Sequence, residues 1–373
     1  MTHNRRYLYA GCRRDMFRLP EWRIANTEGD DMRAKALATG AALLIAMTHA
    51  ASAAVWGFGD SNLDNGWYTV APYSGNSSFD IYLMQASTYG IGKMTNNPGP
   101  MSIETLASLI GVSAGPGNKP NGTNFATSGA KNAIANTPTK GGFPNAVPTT
   151  TQMKNFAGTH KIGVNDVFLI DSGGNDVTHS LTLNPTDRLT YLNAQAGALA
   201  KMIKALQTAG ATHLIVVNQP ESFGTTDQRN ARQFYDSALQ ASLNAQSATY
   251  VWADKNRVRQ DIVASPSTFH MLYTDNSQAH IACPQNAAFP SGWALLCSAS
   301  SLVITPTSFA QQTLFADDGH WASEGQRALG SYYFCLVKKN WPSLVPTLPF
   351  PPFPRPPFGC GVFSEFATTL PAL

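Results

Sequence analysis

The residues best suited to chemistry stand where an apolar run stops. Val55-Trp56-Gly57-Phe58 gives way to Gly59-Asp60-Ser61. The run reads as a short buried strand, and open α/β sheets bind their ligands at the carboxyl ends of such strands. A serine delivered there can attack a carbonyl carbon if a base takes its proton during the attack. Histidine suits that task, because it titrates near neutrality and can later return the proton to a leaving group. His320 follows two acids in Phe315-Ala316-Asp317-Asp318-Gly319-His320. Beyond the N-terminal leader, His160, His179, His213, His270 and His280 stand in no such motif and read as structural or solvated. Gly-Asp-Ser alone is an ordinary turn composition, so its weight depends on its companions.

A second serine competes for the role. Gly111-Val112-Ser113-Ala114-Gly115 fits the Gly-x-Ser-x-Gly pattern of a nucleophile elbow. That pattern needs a strand before it and a helix after it. Here a helix-like apolar spacing over residues 103–110 precedes it, and Pro116-Gly117-Asn118-Lys119-Pro120 follows. The glycines read as a helix stop and loop, which argues against Ser113.

Three further segments answer the first motif in order. They are Asn124-Phe125-Ala126-Thr127-Ser128-Gly129-Ala130, Ser172-Gly173-Gly174-Asn175-Asp176 and the Asp317 to His320 segment. Together the four resemble the blocks of the GDSL hydrolases, also called SGNH hydrolases, with Asn62 where the name-giving leucine usually stands. The resemblance runs from Val55 to about Trp341. It implies that Ser61 is a nucleophile, His320 its base, and Asp317 rather than Asp318 the acid that orients the imidazole. It also implies an oxyanion hole made by the N–H of Ser61, the N–H of Gly129 and the side-chain amide of Asn175. Such preset donors stabilise the charge that develops on the carbonyl oxygen. Asp64 and Asp176 read as structural carboxylates that hold loops.

These residues need a scaffold that gathers them at one edge. Strand-like runs at 55–58, 167–170, 213–217 and 250–252 alternate with helix-like stretches at 103–110, 188–209, 227–245 and 323–339. That alternation predicts an α/β fold with a central parallel sheet covered on both faces. The resemblance implies a three-layer α/β/α, flavodoxin-like SGNH hydrolase domain. Residues 96–151 and 265–313 are long and irregular, and long loops in compact domains often shape a binding cleft.

The whole chain of 373 residues is 43% apolar and 13% charged, ample for a sizeable core. Its net charge of +3 arises wholly within residues 1–35, and the remainder is balanced. A balanced domain lacks the basic footprint that nucleic acid requires. Met32-Arg33-Ala34-Lys35, the apolar stretch 36–47 and Ala51-Ser52-Ala53 read as a signal peptide with a small-x-small cleavage site. The apolar stretch falls short of the about 20 residues that span a bilayer. The expected organisation is a doubtful N-terminal extension at 1–31, a signal peptide at 32–53, a hydrolase domain at 54–341 and a Pro-rich tail at 342–373. The run from Leu348 through Phe358 predicts polyproline II or disorder, with a solvated tail. Cys12 lies in the leader, which leaves Cys283, Cys297, Cys335 and Cys360. Four cysteines in an exported chain allow three disulfide connectivities, and the pairs Cys283–Cys297 and Cys335–Cys360 close the shortest loops. No Cys-x-x-Cys or His-Glu-x-x-His spacing calls for a metal, and no organic cofactor is implied.

The expectation is therefore an exported hydrolase, secreted or periplasmic, that cleaves small-molecule or lipid carboxylic esters through an acyl-enzyme. The resemblance is to secreted lipases and esterases, including autotransporter passenger domains. The stretch after His320 is too short for an outer-membrane barrel, so free secretion or a periplasmic location is expected over surface anchoring. Two other readings stay open: acyl transfer to an alcohol by the same acyl-enzyme, and a non-catalytic surface-interaction protein on a hydrolase fold.

Overall fold

The computed structural model describes residues 53–135, 143–219, 224–287, 289, 293–301, 303–346 and 357–367. The extension and signal readings on residues 1–52, and the proline-rich stretch 347–356, lie outside the described residues.

Four parallel strands form the centre, in the order β1 (Val55–Gly59), β2 (Val167–Asp171), β3 (His213–Val217) and β4 (Val251–Ala253). All three pairings are parallel, with Phe58 opposite Ile170 and Val216 opposite Trp252. A parallel sheet is covered on both faces, which is why β2 reads as an unbroken apolar run rather than an alternating one. Successive side chains point to opposite faces. Val167 and Leu169 enter one core, while Phe168 and Ile170 enter the other.

Ten helices are described. In chain order they are α1 (Ser77–Leu83), α2 (Ala86–Tyr89), α3 (Ser102–Ile110), α4 (Thr149–Thr159), α5 (Gly174–Ser180), α6 (Pro185–Thr208), α7 (Thr226–Ala245), α8 (Lys255–Ala264), α9 (Ser323–Asn340) and α10 (Ser364–Ala367). Helices α3, α8 and α9 lie in the core on one face, and α4, α6 and α7 in the core on the other. The chain is a three-layer α/β/α fold, as expected.

Local chemistry sets the helix ends. Asn184 caps α6 by accepting from the N–H of Asp187, and Pro185 opens the helix where its missing N–H costs nothing. Thr225 and Gln228 form a capping box that starts α7. Helix α3 stops at Gly111 in the left-handed conformation. The expected helix stop before Ser113 is therefore present, and no strand leads into that serine.

Residues 123–127 form an edge beside β1 that the sequence reading leaves within a loop. Gly57 N donates to Thr123 O at 3.0 Å, and Phe125 N donates to Gly57 O at 2.8 Å. Thr127 N then donates to Gly59 O at 3.1 Å. The pairing is parallel, with Asn124 opposite Gly57.

Both disulfides have the expected partners, Cys283–Cys297 and Cys335–Cys360, with Cα separations of 5.8 and 5.5 Å. The second corrects the solvated-tail expectation over residues 357–367. Cys360 is tied to α9, and Phe358, Phe363 and Phe366 are buried. Phe269 packs against Phe358 and Phe363, and Tyr332 Oη donates to Glu365 at 2.6 Å. Three apolar rings and a covalent tie outweigh the solvation of so short a segment. Among the described residues, no helix is long and apolar enough to cross a membrane.

Candidate active site

The site forms at the carboxyl edge of the sheet, where β1 ends at Gly59. This glycine adopts φ 153°, and a Cβ there would lie 1.9 Å from the Asp171 carbonyl oxygen. Only glycine lets the chain leave β1 so close to β2. Gln152 of α4 holds the same residue on both sides, accepting from Gly59 N and donating to Gly59 O, each at 2.9 Å. Ser61 follows, partly exposed.

His320 arrives from the far end of the sequence. Phe315 and Trp321 pair as an antiparallel bridge, and Ala316 N donates to His320 O at 2.7 Å. This tight turn brings the two ends of the Asp-x-x-His spacing together. His320 Nδ1 lies 2.8 Å from Asp317 Oδ1, and Nε2 lies 2.9 Å from Ser61 Oγ. Asp317 is buried and also accepts from the N–H groups of Ala294, Gly319 and His320. Asp318 is exposed and makes no contact with the imidazole ring nitrogens among the described residues; its carbonyl accepts from Asn276.

The electrostatics follow from burial and pairing. Burial pushes the Asp317 carboxyl up, yet the His320 charge and hydrogen bonds, with the Ala294 and Gly319 N–H groups, leave it below its ordinary value. Burial pulls His320 down, and the charge of Asp317 and its hydrogen bond more than reverse this. His320 therefore holds its proton more strongly than a free imidazole.

The three expected donors lie on three segments: Ser61 just after β1, Gly129 after residues 123–127 and Asn175 in α5. Gly129 follows the edge at 123–127 with φ 83°. Among the described residues, neither its N–H nor that of Ser61 has a hydrogen-bond partner. Asn175 sits in the first turn of α5, just after β2, and donates one amide proton to Ala130 O at 3.0 Å. Its amide carries a second proton.

Two carboxylates tie these turns together, as expected. Asp64 accepts from Gly66 N and Trp67 N on one oxygen, and from Ser128 N and Oγ on the other. It thereby joins the Ser61 loop to the Gly129 loop. Asp176 accepts from Asn132 N and Tyr191 Oη, and burial raises it to about 7. Asn62, which replaces the usual leucine, donates its N–H and its side-chain amide to Asp60. The sequence reading misses Gln152, Ala294 and the buried pair Asp171–Lys255, none of which lies in a motif. Ser113 stays on the loop after α3. Among the described residues, no group of His, Cys, Asp and Glu is arranged to hold a metal.

The family model of the GDSL-like Lipase/Acylhydrolase family matches residues 55–332. Two solved structures align over most of the chain. One, at 12% identity and TM-score 0.39, covers 78% of this chain and 99% of the other. The second is the inhibitor-bound form of an aryl esterase of M. smegmatis, at 13% identity and TM-score 0.37, covering 77% and 98%. No curated protein matches in sequence.

Proposed function

Since the chain belongs to the GDSL-like lipase/acylhydrolase family, we propose that it hydrolyses carboxylic esters through an acyl-enzyme on Ser61. One observation carries the reading. Ser61 Oγ, His320 and Asp317 form an unbroken hydrogen-bonded line, with distances of 2.9 and 2.8 Å.

Ser61 Oγ bonds to the ester carbon as its proton moves to His320 Nε2. The carbonyl electrons move onto oxygen, which faces the N–H of Ser61, the N–H of Gly129 and the Asn175 amide. Asp317 fixes the imidazole tautomer and stabilises the imidazolium. Collapse of the intermediate expels the alkoxide, which takes the proton from Nε2 and leaves as the alcohol. Water then repeats the sequence on the acyl-enzyme, and the carboxylic acid departs. None of these steps calls on a cofactor. The substrate class is a small molecule or lipid ester.

Export fits the same reading. The two disulfides are compatible with an oxidising compartment, where such bonds form and persist. A secreted or periplasmic location is part of the same proposal.

The decisive experiment treats the purified protein with a serine-reactive phosphonate and maps the adduct. Labelling at Ser61, with turnover of p-nitrophenyl esters lost in Ser61→Ala, is expected. An unlabelled protein, or full turnover in that variant, overturns the proposal. Product analysis with a lipid donor and an alcohol acceptor separates hydrolysis from acyl transfer.

A further inference from the structure

Three ionisable side chains are enclosed together behind Ser61. Lys255 Nζ lies 2.5 Å from Asp171 Oδ2, and each side chain is 1% exposed. Asp171 ends β2, and its carbonyl accepts from Asp60 N at 3.2 Å. Asp60 is fully buried. One of its oxygens accepts from the N–H and amide of Asn62, and the other from Gly174 N. Asp60 therefore holds the turn that follows Ser61 and also the residue before Asn175.

Lys255 breaks two rules. It opens α8, where the helix dipole disfavours a cation, and it buries an ammonium group. Such local violations concentrate at functional sites. The neighbours supply a reason. Two carboxylates enclosed at adjacent strand ends resist ionising together unless a counter-charge joins them.

We propose that Lys255 is a positioning residue: its ion pair with Asp171 keeps Asp60 ionised, and ionised Asp60 fixes the Ser61 turn and the Gly174–Asn175 turn at the spacing acyl transfer needs. The inference rests on the catalytic reading of Ser61. The groups acting on Asp60 come from every side. They are Asp171 of β2, Lys255 of α8, Asp176 of α5, Tyr235 of α7 and His320 of the loop before α9. Tyr333 of α9 lies in the field of Asp171. Burial and the Asp171 charge raise Asp60 to about 6, and the Asn62 hydrogen bonds and Lys255 oppose them. A protonated Asp60 turns one acceptor oxygen into a donor, which conflicts with the N–H groups aimed at it.

The test uses the full chain with Lys255→Met, Asp171→Asn and the double variant. Asp60 is titrated by carbon NMR of its carboxyl, alongside the pH dependence of kcat/KM on p-nitrophenyl acetate. In Lys255→Met the Asp60 midpoint and the acid limb of kcat/KM should both move up by about one pH unit or more. At the wild-type midpoint, kcat should fall about fivefold or more with KM changed less than about twofold. The double variant should return midpoint and limb to near wild type. If Lys255→Met does not fold, Asp171→Asn carries the test, and its Asp60 midpoint should move down while the limb set by His320 stays in place. A lower melting temperature with midpoint and limb unmoved overturns the proposal, as does a double variant that restores neither. Absence of phosphonate labelling of wild-type Ser61 overturns the catalytic reading itself, and the positioning role with it. An immobile midpoint in a labelled enzyme overturns only the positioning role.

Discussion

At the residue scale, the candidate site depends on where protons sit. In the proposed role His320 can take the Ser61 proton only when neutral, and its partner Asp317 raises its proton affinity above the ordinary 6.5. The kcat/KM profile should therefore rise with pH through a midpoint above 6.5; an acid limb well below that value would contradict the assignment. Asn175→Ala should lower kcat by about a hundredfold to a thousandfold, the usual effect of losing one oxyanion donor. If KM rises while kcat holds, Asn175 binds substrate rather than the transition state. The sequence made Ser61, Gly129, Asn175, Asp317 and His320 legible because each lies in a short local pattern, and the fold brings them to one edge. Gln152, Ala294 and Lys255 were not legible. Their contacts with Gly59, Asp317 and Asp171 join segments far apart in sequence, and no local spacing encodes such a meeting.

At the element scale, the two disulfides do different jobs. Cys283 N donates to Ala316 O, beside Asp317, and Cys297 closes the turn that presents Ala294 N to Asp317. Replacing both Cys283 and Cys297 with alanine should cost about 3 kcal/mol, by loop-closure entropy for a loop of this length, and should lower kcat as Asp317 loosens. The Cys335→Ala/Cys360→Ala pair should lose comparable stability and keep kcat, because it ties a segment on the back of α9. Denaturant melts with parallel rate measurements would check both, and equal kcat losses would refute the distinction. Strands β1 to β4 and helices α3, α6, α7 and α9 were legible because long apolar runs or helical spacings mark them. Helix α8 was not, because only Val258 and Ile262 give it an apolar face. Helix α4 begins with three threonines, poor helix formers that hide its start. Helix α5 is a single short element that starts inside the Gly-Gly-Asn-Asp segment.

At the scale of the whole molecule, stability and activity should prefer different pH. Asp60 and Asp176 titrate at about 6 and about 7 in the folded chain, above the 3.8 expected when unfolded. An acid with a raised folded pKa gives stability that is present below about 3.8 and lost as pH rises through the folded value. Asp317 has the opposite sign, since its depressed value adds stability above about 3.8 and loses it in stronger acid. Melting temperature should thus fall between about pH 4 and pH 7, while His320 gains activity. Thermal melts at constant ionic strength would measure this, and a melting temperature that climbs throughout the range would defeat it.

Ser61 and Gly129 follow two neighbouring segments, β1 and residues 123–127, which are hydrogen-bonded to each other. The last contact between the two segments, Thr127 N to Gly59 O at 3.1 Å, stands two residues before each of them. If the two N–H groups act as the proposed donors, the irregular loops at 96–151 and 265–313 can vary beyond these paired residues without retuning them. On the proposed function, substrate range and rate enhancement would then be separately heritable traits, and grafting loops between relatives would change one while sparing the other.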